Sequence, residues 1–135
     1  MNFDIQNDLK ALLNEIFGFT EFRPGQLEII EAILSKKSVL AVMPTGAGKS
    51  LCYQLPAIYS DQMTIVISPL VALIDDQVAA LKQLGVGVSK IHSGLSREEN
   101  VENWKHFVSG DSKIIYMSPE RLMQPRMLET LQKLP

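Results

Sequence analysis

Residues Met43-Pro44-Thr45-Gly46-Ala47-Gly48-Lys49-Ser50 place two glycines, a lysine and a hydroxyl side by side, a set suited to gripping a string of phosphates. Gly46 and Gly48 omit side chains where the backbone must curl around an anion, and the N–H groups that follow can point into the concavity at the positive end of a helix dipole. Lys49 can reach the outer phosphates as a mobile ammonium, and the Ser50 hydroxyl can ligate a magnesium ion bridging the same oxygens. Lys49 and Ser50 are therefore the candidate catalytic residues, Ser50 the candidate Mg2+ ligand, and Thr45, Gly46, Ala47 and Gly48 complete the candidate nucleotide cradle. The usual pattern has glycine or alanine where this sequence has Met43. A glycine-rich turn with a solvent-facing lysine is the plain alternative. Context favours the phosphate reading: the apolar run Ser38–Met43, with β-branched Val39 and Val42, predicts a buried strand, and a helix is predicted from near Lys49.

Hydrolysis also calls for a strand-end acidic pair that holds magnesium and orients water. Asp75-Asp76 lies in an amphipathic pattern with Leu73 and Val78 and reads as solvated helix charge, Glu120 has no neighbouring Asp, and no Asp-Glu-Ala-His box occurs. Cys52 reads as a small buried hydrophobe and not a nucleophile. Trp104, three residues from both Val101 and Phe107, reads as core and not as a base-stacking platform. His92-Ser93-Gly94 reads as polar loop surface, with a nucleic-acid-facing turn as the alternative, and His106 has no partners at metal-ligand spacing.

The elements that must position these residues follow from periodicity. Ile5, Leu9, Leu12, Leu13 and Ile16 predict a first helix ended by Gly18, and Leu27, Ile30, Ile33 and Leu34 a second with Gln26 at its start. Between them, Phe19–Gly25 reads as a loop, and at least one of Phe17, Phe19 and Phe22 is expected to pack in the core. Thr64–Ser68 and Lys113–Ser118 predict further buried strands, Val86–His92 a weaker one, each followed by a helical pattern: Leu70–Leu84, Leu122–Leu134, and a helix through Val101, Trp104 and Phe107 opened by a Ser96/Glu99 capping box. Pro56 is expected to end or kink the helix after the phosphate loop. Strands alternating with helices predict an α/β fold, a parallel sheet with helices on both faces.

A chain of 135 residues with 46% hydrophobic residues can form one ordinary core without disulfides or structural metal, and its single cysteine suits a reducing cytoplasm. The formal charge of −2 excludes a basic field over the whole surface, so nucleic-acid binding must come from a local cluster. The amino terminus does not read as a signal peptide, and no apolar run approaches the roughly 18 residues of a membrane-spanning helix.

Phe17-Gly18-Phe19-Thr20-Glu21-Phe22-Arg23-Pro24-Gly25-Gln26, the stretch Met43–Ser50 continuing as Leu51-Cys52-Tyr53-Gln54-Leu55-Pro56, the stretch Ile67-Ser68-Pro69-Leu70-Val71-Ala72-Leu73 through Asp76-Gln77-Val78, and Ile115-Tyr116-Met117-Ser118-Pro119-Glu120-Arg121-Leu122 together resemble the start of the RecQ family of ATP-dependent DNA helicases. In that family Met is common at the first position of the P-loop. The resemblance implies a RecA-like P-loop fold that stops before the acidic-box strand, with residues 1–36 forming amino-terminal helices and an adenine-recognition loop and residues 37–135 part of the ATP-binding lobe, all in one structural unit. It implies ATP and Mg2+ as cofactors, Phe19 stacking on adenine, Gln26 pairing with its edge and Arg23 bracing the pocket. A glutamine suits adenine because its amide offers a donor and an acceptor in one plane. The resemblance also implies that Ser68, Pro69, Leu70, Ser118, Pro119 and Arg121, at the carboxyl edge of the sheet beside the phosphate loop, touch DNA, either single-stranded or partly duplex. Ordinary helix capping is the local alternative for both serines.

The function implied is the ATP-binding portion of a 3'-5' DNA helicase of repair and recombination, in the cytoplasm or nucleoid and without a membrane partner. By itself this portion would bind nucleotide without unwinding DNA, and an unpartnered sheet edge would let copies associate. Two other classes stay open on residues alone: a small-molecule P-loop phosphotransferase, and a non-catalytic nucleotide- or DNA-binding module. The 37 residues ahead of Ser38 favour the helicase.

Overall fold

The structure, a computed structural model, describes residues 3–44, 46, 48–60 and 62–134. They form two compact units, Met1–Gln62 and Met63–Pro135.

In the first unit, helix α1 (Phe3–Leu12) widens into a π turn over Leu13–Phe17. Gly18 ends it at φ 76°, its N–H bonding Asn14 O at 3.0 Å, a left-handed cap that costs glycine little. Helices α2 (Gln26–Leu34) and α3 (Leu51–Tyr59) pack on it. Their apolar stripes meet in a core of Leu9, Leu13, Ile30, Leu51 and Leu55, flanked by Phe17 and Phe22. Each fully buried leucine or isoleucine contributes about 2 kcal/mol of transfer free energy. Phe17, at the end of the π turn, and Phe22, in the loop after it, thus take the packing role expected of at least one of the three phenylalanines. Helix α3 does not end at Pro56 but continues to Tyr59.

The expected strand Ser38–Met43 is absent. The segment is irregular, with Leu40 92% and Val42 89% exposed. A strand is stable only when its N–H and C=O groups find a ladder, and this segment has none among the described residues. Hydrophobic, β-branched composition supplies the propensity but not the neighbour.

The second unit is a parallel sheet of β1 (Thr64–Ile67), β2 (Val88–Ile91) and β3 (Ile114–Met117) in the order β1-β3-β2. Central β3 is buried along its whole length. One face carries Ile91, Ile115 and Met117 against Phe107 of α5 (Arg97–Val108) and the flanking Leu122 and Met127. On the other, α4 (Val71–Gln83) buries Ile74, Val78 and Leu81, and its Gln77 receives the Tyr116 hydroxyl at 3.3 Å. Helices therefore cover both faces, as the α/β reading requires. The Ser96/Glu99 capping box forms, the Glu99 N–H donating to Ser96 Oγ at 3.1 Å and the Ser96 N–H to Glu99 Oε1 at 3.3 Å.

The helix predicted over Leu122–Leu134 is instead two short ones, α6 (Pro119–Leu122) and α7 (Pro125–Gln132). Pro125 disfavours helical geometry at the residue before it, and Gln124 is extended at ψ 132°. Among the described residues no helix is long and apolar enough to cross a membrane.

Candidate functional site

Two loops of the first unit meet through side chains. The turn before α2 leaves Gln26 at the helix start, 3% exposed. Its Oε1 accepts the Arg23 N–H at 2.8 Å and its Nε2 donates to the Gly48 carbonyl at 3.1 Å. The Arg23 guanidinium donates through Nη1 to the Gly46 carbonyl. Arg23, Gln26, Gly46 and Gly48 are thereby brought together, and both glycines hold positive φ, 83° and 80°. Arg23 and Gln26 thus tie the carbonyls of Gly46 and Gly48 to the turn before α2.

Thr45 and Ala47 lie outside the described residues. Lys49 is exposed and Ser50 half-buried, in a turn that leads into α3, whose first helical residue is Leu51. The Ser50 carbonyl takes the Gln54 N–H at 3.0 Å. Cys52 sits behind this turn, 5% exposed, with Sγ 3.7 Å from the Gly48 carbonyl and 4.0 Å from Met43 Sδ. Burial pushes its thiol pKa up, so it is a packing group. Met43 has a packing role against that sulfur. Phe19 is 52% exposed and stands apart from the core. Beside the loop a hollow of about 650 Å³ is lined by Arg23, Gly25, Ile29, Val39, Val42 and Met43, among others.

In the second unit, Ser68 and Ser118 each follow the last residue of neighbouring strands β1 and β3. The Ser68 N–H extends the ladder to Met117 O at 3.1 Å, and Ser68 Oγ accepts the Leu70 N–H at 3.4 Å. Ser118 is buried, and its carbonyl accepts the N–H groups of Arg121 and Leu122, each at 3.2 Å. Its side chain makes no cap bond. Pro69 and Leu70 are exposed and Pro119 half-buried. Arg121 is half-buried, and its Nε is fully buried with no partner in the structure.

Sequence reasoning missed a third cluster. His92 is not polar surface: it is 2% exposed at the end of β2. The Asn100 side chain brackets its main chain, accepting the His92 N–H and donating to its carbonyl, both at 3.2 Å. The Gly94 N–H donates to Nδ1 at 3.0 Å, which leaves the ring proton on Nε2, 2.9 Å from Asp75 Oδ1. Lys90 Nζ lies 2.7 Å from the same oxygen. Asp75 is therefore not merely solvated helix charge. The Lys90 ammonium, and next the His92 ring, hold its carboxyl below the usual range. The signal was in the spacing: Lys90 and His92, two apart on a strand, share a face. Trp104, by contrast, does pack on the core, tilted 46° to Phe107 at 5.7 Å. Exposed His106 lies 3.5 Å from Glu102 and 3.3 Å from Asp111.

Comparison with known proteins shows the family. A family model for DEAD/DEAH box helicases matches residues 23–134. The chain is 44% identical over 128 residues to the probable ATP-dependent DNA helicase RecS of Bacillus subtilis, covering 94% of this chain and 25% of that protein. It is 43% identical over 123 residues to the ATP-dependent DNA helicase Q1 of Mus musculus (88% and 19%). To the ATP-dependent DNA helicase RecQ of Haemophilus influenzae it is 42% identical over 113 residues (84% and 18%). The chain thus spans about a quarter or less of the length of these relatives. A crystal structure of a hypothetical ATP-dependent RNA helicase from Sulfolobus tokodaii superimposes with a TM-score of 0.70 at 21% identity, over 94% of this chain and 36% of that one. That likeness establishes the RecA-like fold.

Proposed function

We propose that this chain, which belongs to the DEAD/DEAH box helicase family, is the ATP-binding part of a RecQ-type ATP-dependent DNA helicase. The observation that carries the reading is the double clamp of Arg23 and Gln26 onto the carbonyls of Gly46 and Gly48. It couples the loop expected to read adenine to the loop expected to hold phosphate.

After its two internal bonds the Gln26 amide keeps one N–H and one lone pair, the complement of an adenine edge. Phe19, exposed on the same loop, supplies a ring for stacking. The cradle of Thr45, Gly46, Ala47 and Gly48 takes the phosphates, with Lys49 neutralising the outer ones. Ser50 fits magnesium by donor chemistry, one hydroxyl oxygen at the mouth of α3, with phosphate oxygens and water as the remaining ligands. When bound, the ion would offset charge on the transferring phosphate.

Ser68, Pro69, Leu70, Ser118, Pro119 and Arg121 form the DNA-facing edge of the second unit, where hydroxyls and main-chain N–H groups can bind phosphodiester oxygens without reading sequence. In the intact protein this machinery would drive 3'-5' unwinding in repair and recombination, in the cytoplasm or nucleoid. The chain alone binds nucleotide and does not unwind DNA.

Titration calorimetry with ATP, ADP and GTP tests the reading. Adenine nucleotides should bind in preference to GTP, Gln26→Ala should erase that preference, and Lys49→Ala should weaken ATP by about 10-fold or more, as expected for removal of a charge-assisted hydrogen bond. Equal affinity for GTP would sink the helicase assignment, and ATP retention unchanged in Lys49→Ala would sink the phosphate site itself.

A further inference from the structure

Both ring nitrogens of buried His92 are engaged, and in opposite senses. Nδ1 faces the Gly94 N–H at 3.0 Å, and Nε2 lies 2.9 Å from Asp75 Oδ1. A main-chain N–H can only donate, so Nδ1 carries a lone pair and Nε2 the proton. The neutral ring satisfies both partners, and no other protonation state does. A proton added at Nδ1 would set two N–H groups against each other across 3.0 Å.

The surroundings decide which contact gives way. Asn100 holds the His92 main chain through both its N–H and its carbonyl, so the residue itself is anchored. The bond from Nε2 ends on a carboxylate, and a positive ring strengthens it. The turn is the weaker partner: Ser93 and Gly94 are exposed, and beyond the bond to Nδ1 it is closed by the Leu95 N–H to the His92 carbonyl at 3.2 Å. Gly94 also lies directly on the ring. A methyl group there would stand 3.0 Å from His92 Cε1, 3.1 Å from Nδ1 and 3.8 Å from Val71 at the start of α4.

The groups around the ring can hold a positive charge on it. From α4 comes Asp75, whose side chain is 45% exposed and so reached by water, with exposed Asp76 next to it. Lys90 of β2 shares the Asp75 oxygen and opposes a second cation. On β3, Tyr116 is in register with Lys90 and its hydroxyl donates to Gln77. Helix α5 turns neutral Asn100 toward His92, and Arg97, one turn earlier, is exposed. Proton uptake therefore converts a hydrogen bond into an ion pair on the Asp75 side while breaking the bond on the Gly94 side.

We infer that His92 is a proton-operated latch: neutral, it holds the turn Ser93–Leu95 down at the end of β2 and the start of α4, and protonated on Nδ1 it releases that turn while staying bound to Asp75. The latch is independent of the nucleotide and DNA readings.

The chain has two histidines, and exposed His106 serves as an internal reference. Two-dimensional proton–nitrogen NMR of the 135-residue chain follows the ring nitrogens, the Gly94 amide and the amides of β3 as pH is lowered from neutral. At neutral pH His92 should show the Nε2–H tautomer. As the ring gains its second proton, the Gly94 amide should move with the same midpoint. Its hydrogen exchange, corrected for the intrinsic effect of pH, should quicken by about 5-fold, the factor supplied by one hydrogen bond of ordinary net strength. Ile115 in β3 should keep its protection through that step. Asp75→Asn keeps an acceptor for the Nε2 proton and withdraws the counter-charge, so the ring and Gly94 midpoints should fall together to lower pH. An Nδ1–H tautomer at neutral pH, a Gly94 amide unmoved while His92 takes up its proton, or midpoints that separate in Asp75→Asn would overturn the latch. A ring that stays neutral until β3 loses protection would overturn it as well, because turn and sheet would then come apart as one.

Discussion

The Gln26 side-chain amide donates to the Gly48 carbonyl at 3.1 Å, and a methyl group added at Gly48 would stand 2.3 Å from that same nitrogen. Gly48→Ala must therefore displace a buried amide from both its bonds, besides placing an L-residue at φ +80°. Gly46 has φ +83° but open space around its added carbon. Gly46→Ala should cost the conformational term alone, about 1–2 kcal/mol, and Gly48→Ala roughly 1 kcal/mol more for the broken hydrogen bonds. Urea unfolding measures both. Adding Gln26→Ala should remove most of the extra penalty at Gly48 and none at Gly46; strict additivity in that cycle would show that the amide does not occupy this place.

Asp75 gives a pH signature. Its carboxyl is held below the usual range by the Lys90 ammonium first and the His92 ring second. A lowered folded-state pKa means stability that is complete above the unfolded value of about 3.9 and is lost as pH falls through the lower folded value. Asp75→Asn should flatten that acid-side loss while keeping an acceptor for His92 Nε2. Asp75→Ala leaves a buried ring N–H unpaired and should cost about 1–3 kcal/mol more at neutral pH. Chemical denaturation from acid to neutral pH checks both, and identical acid profiles for wild type and Asp75→Asn would refute the ion pair.

Much of the second unit is legible in sequence because its signals are local. Short apolar runs mark β1 and β3, Val86–His92 marks β2 more weakly, and Ser96 and Glu99 announce their capping box through a spacing that sets two reciprocal bonds. Ser38–Met43 misleads because pairing is a property of two segments, and apolar composition reports only one. His92 misleads because its burial depends on Asp75 of α4 and Asn100 of α5, two helices that the fold packs on either side of it. At the candidate nucleotide site the loop residues are visible as types, but the clamp from Arg23 and Gln26 onto two carbonyls leaves no trace in side-chain spacing.

Cys52 should behave as part of the interior. It is 5% exposed, and burial raises its thiol pKa, so both access and thiolate fraction are reduced. Labelling by a thiol reagent at mildly alkaline pH should run about 100-fold slower than for the urea-unfolded chain, as expected if reaction waits for a local opening of about 2.7 kcal/mol. Labelling of the native chain at the unfolded rate would mean that α3 does not cover this sulfur.

Leu40 and Val42, 92% and 89% exposed, lie two residues apart on an irregular segment that finds no ladder among the described residues. In an extended backbone they would share a face, and exposed β-prone chain with open hydrogen-bonding groups is a template for a second copy. The isolated chain should therefore show apparent mass rising with concentration in light scattering. Leu40→Lys/Val42→Lys should abolish the rise, because a charged pair on that face opposes its own image across any pairing between copies. Nucleotide affinity should be unaffected if the association involves only this segment. A wild-type chain that stays monomeric at every concentration tested would rule out pairing through Leu40 and Val42.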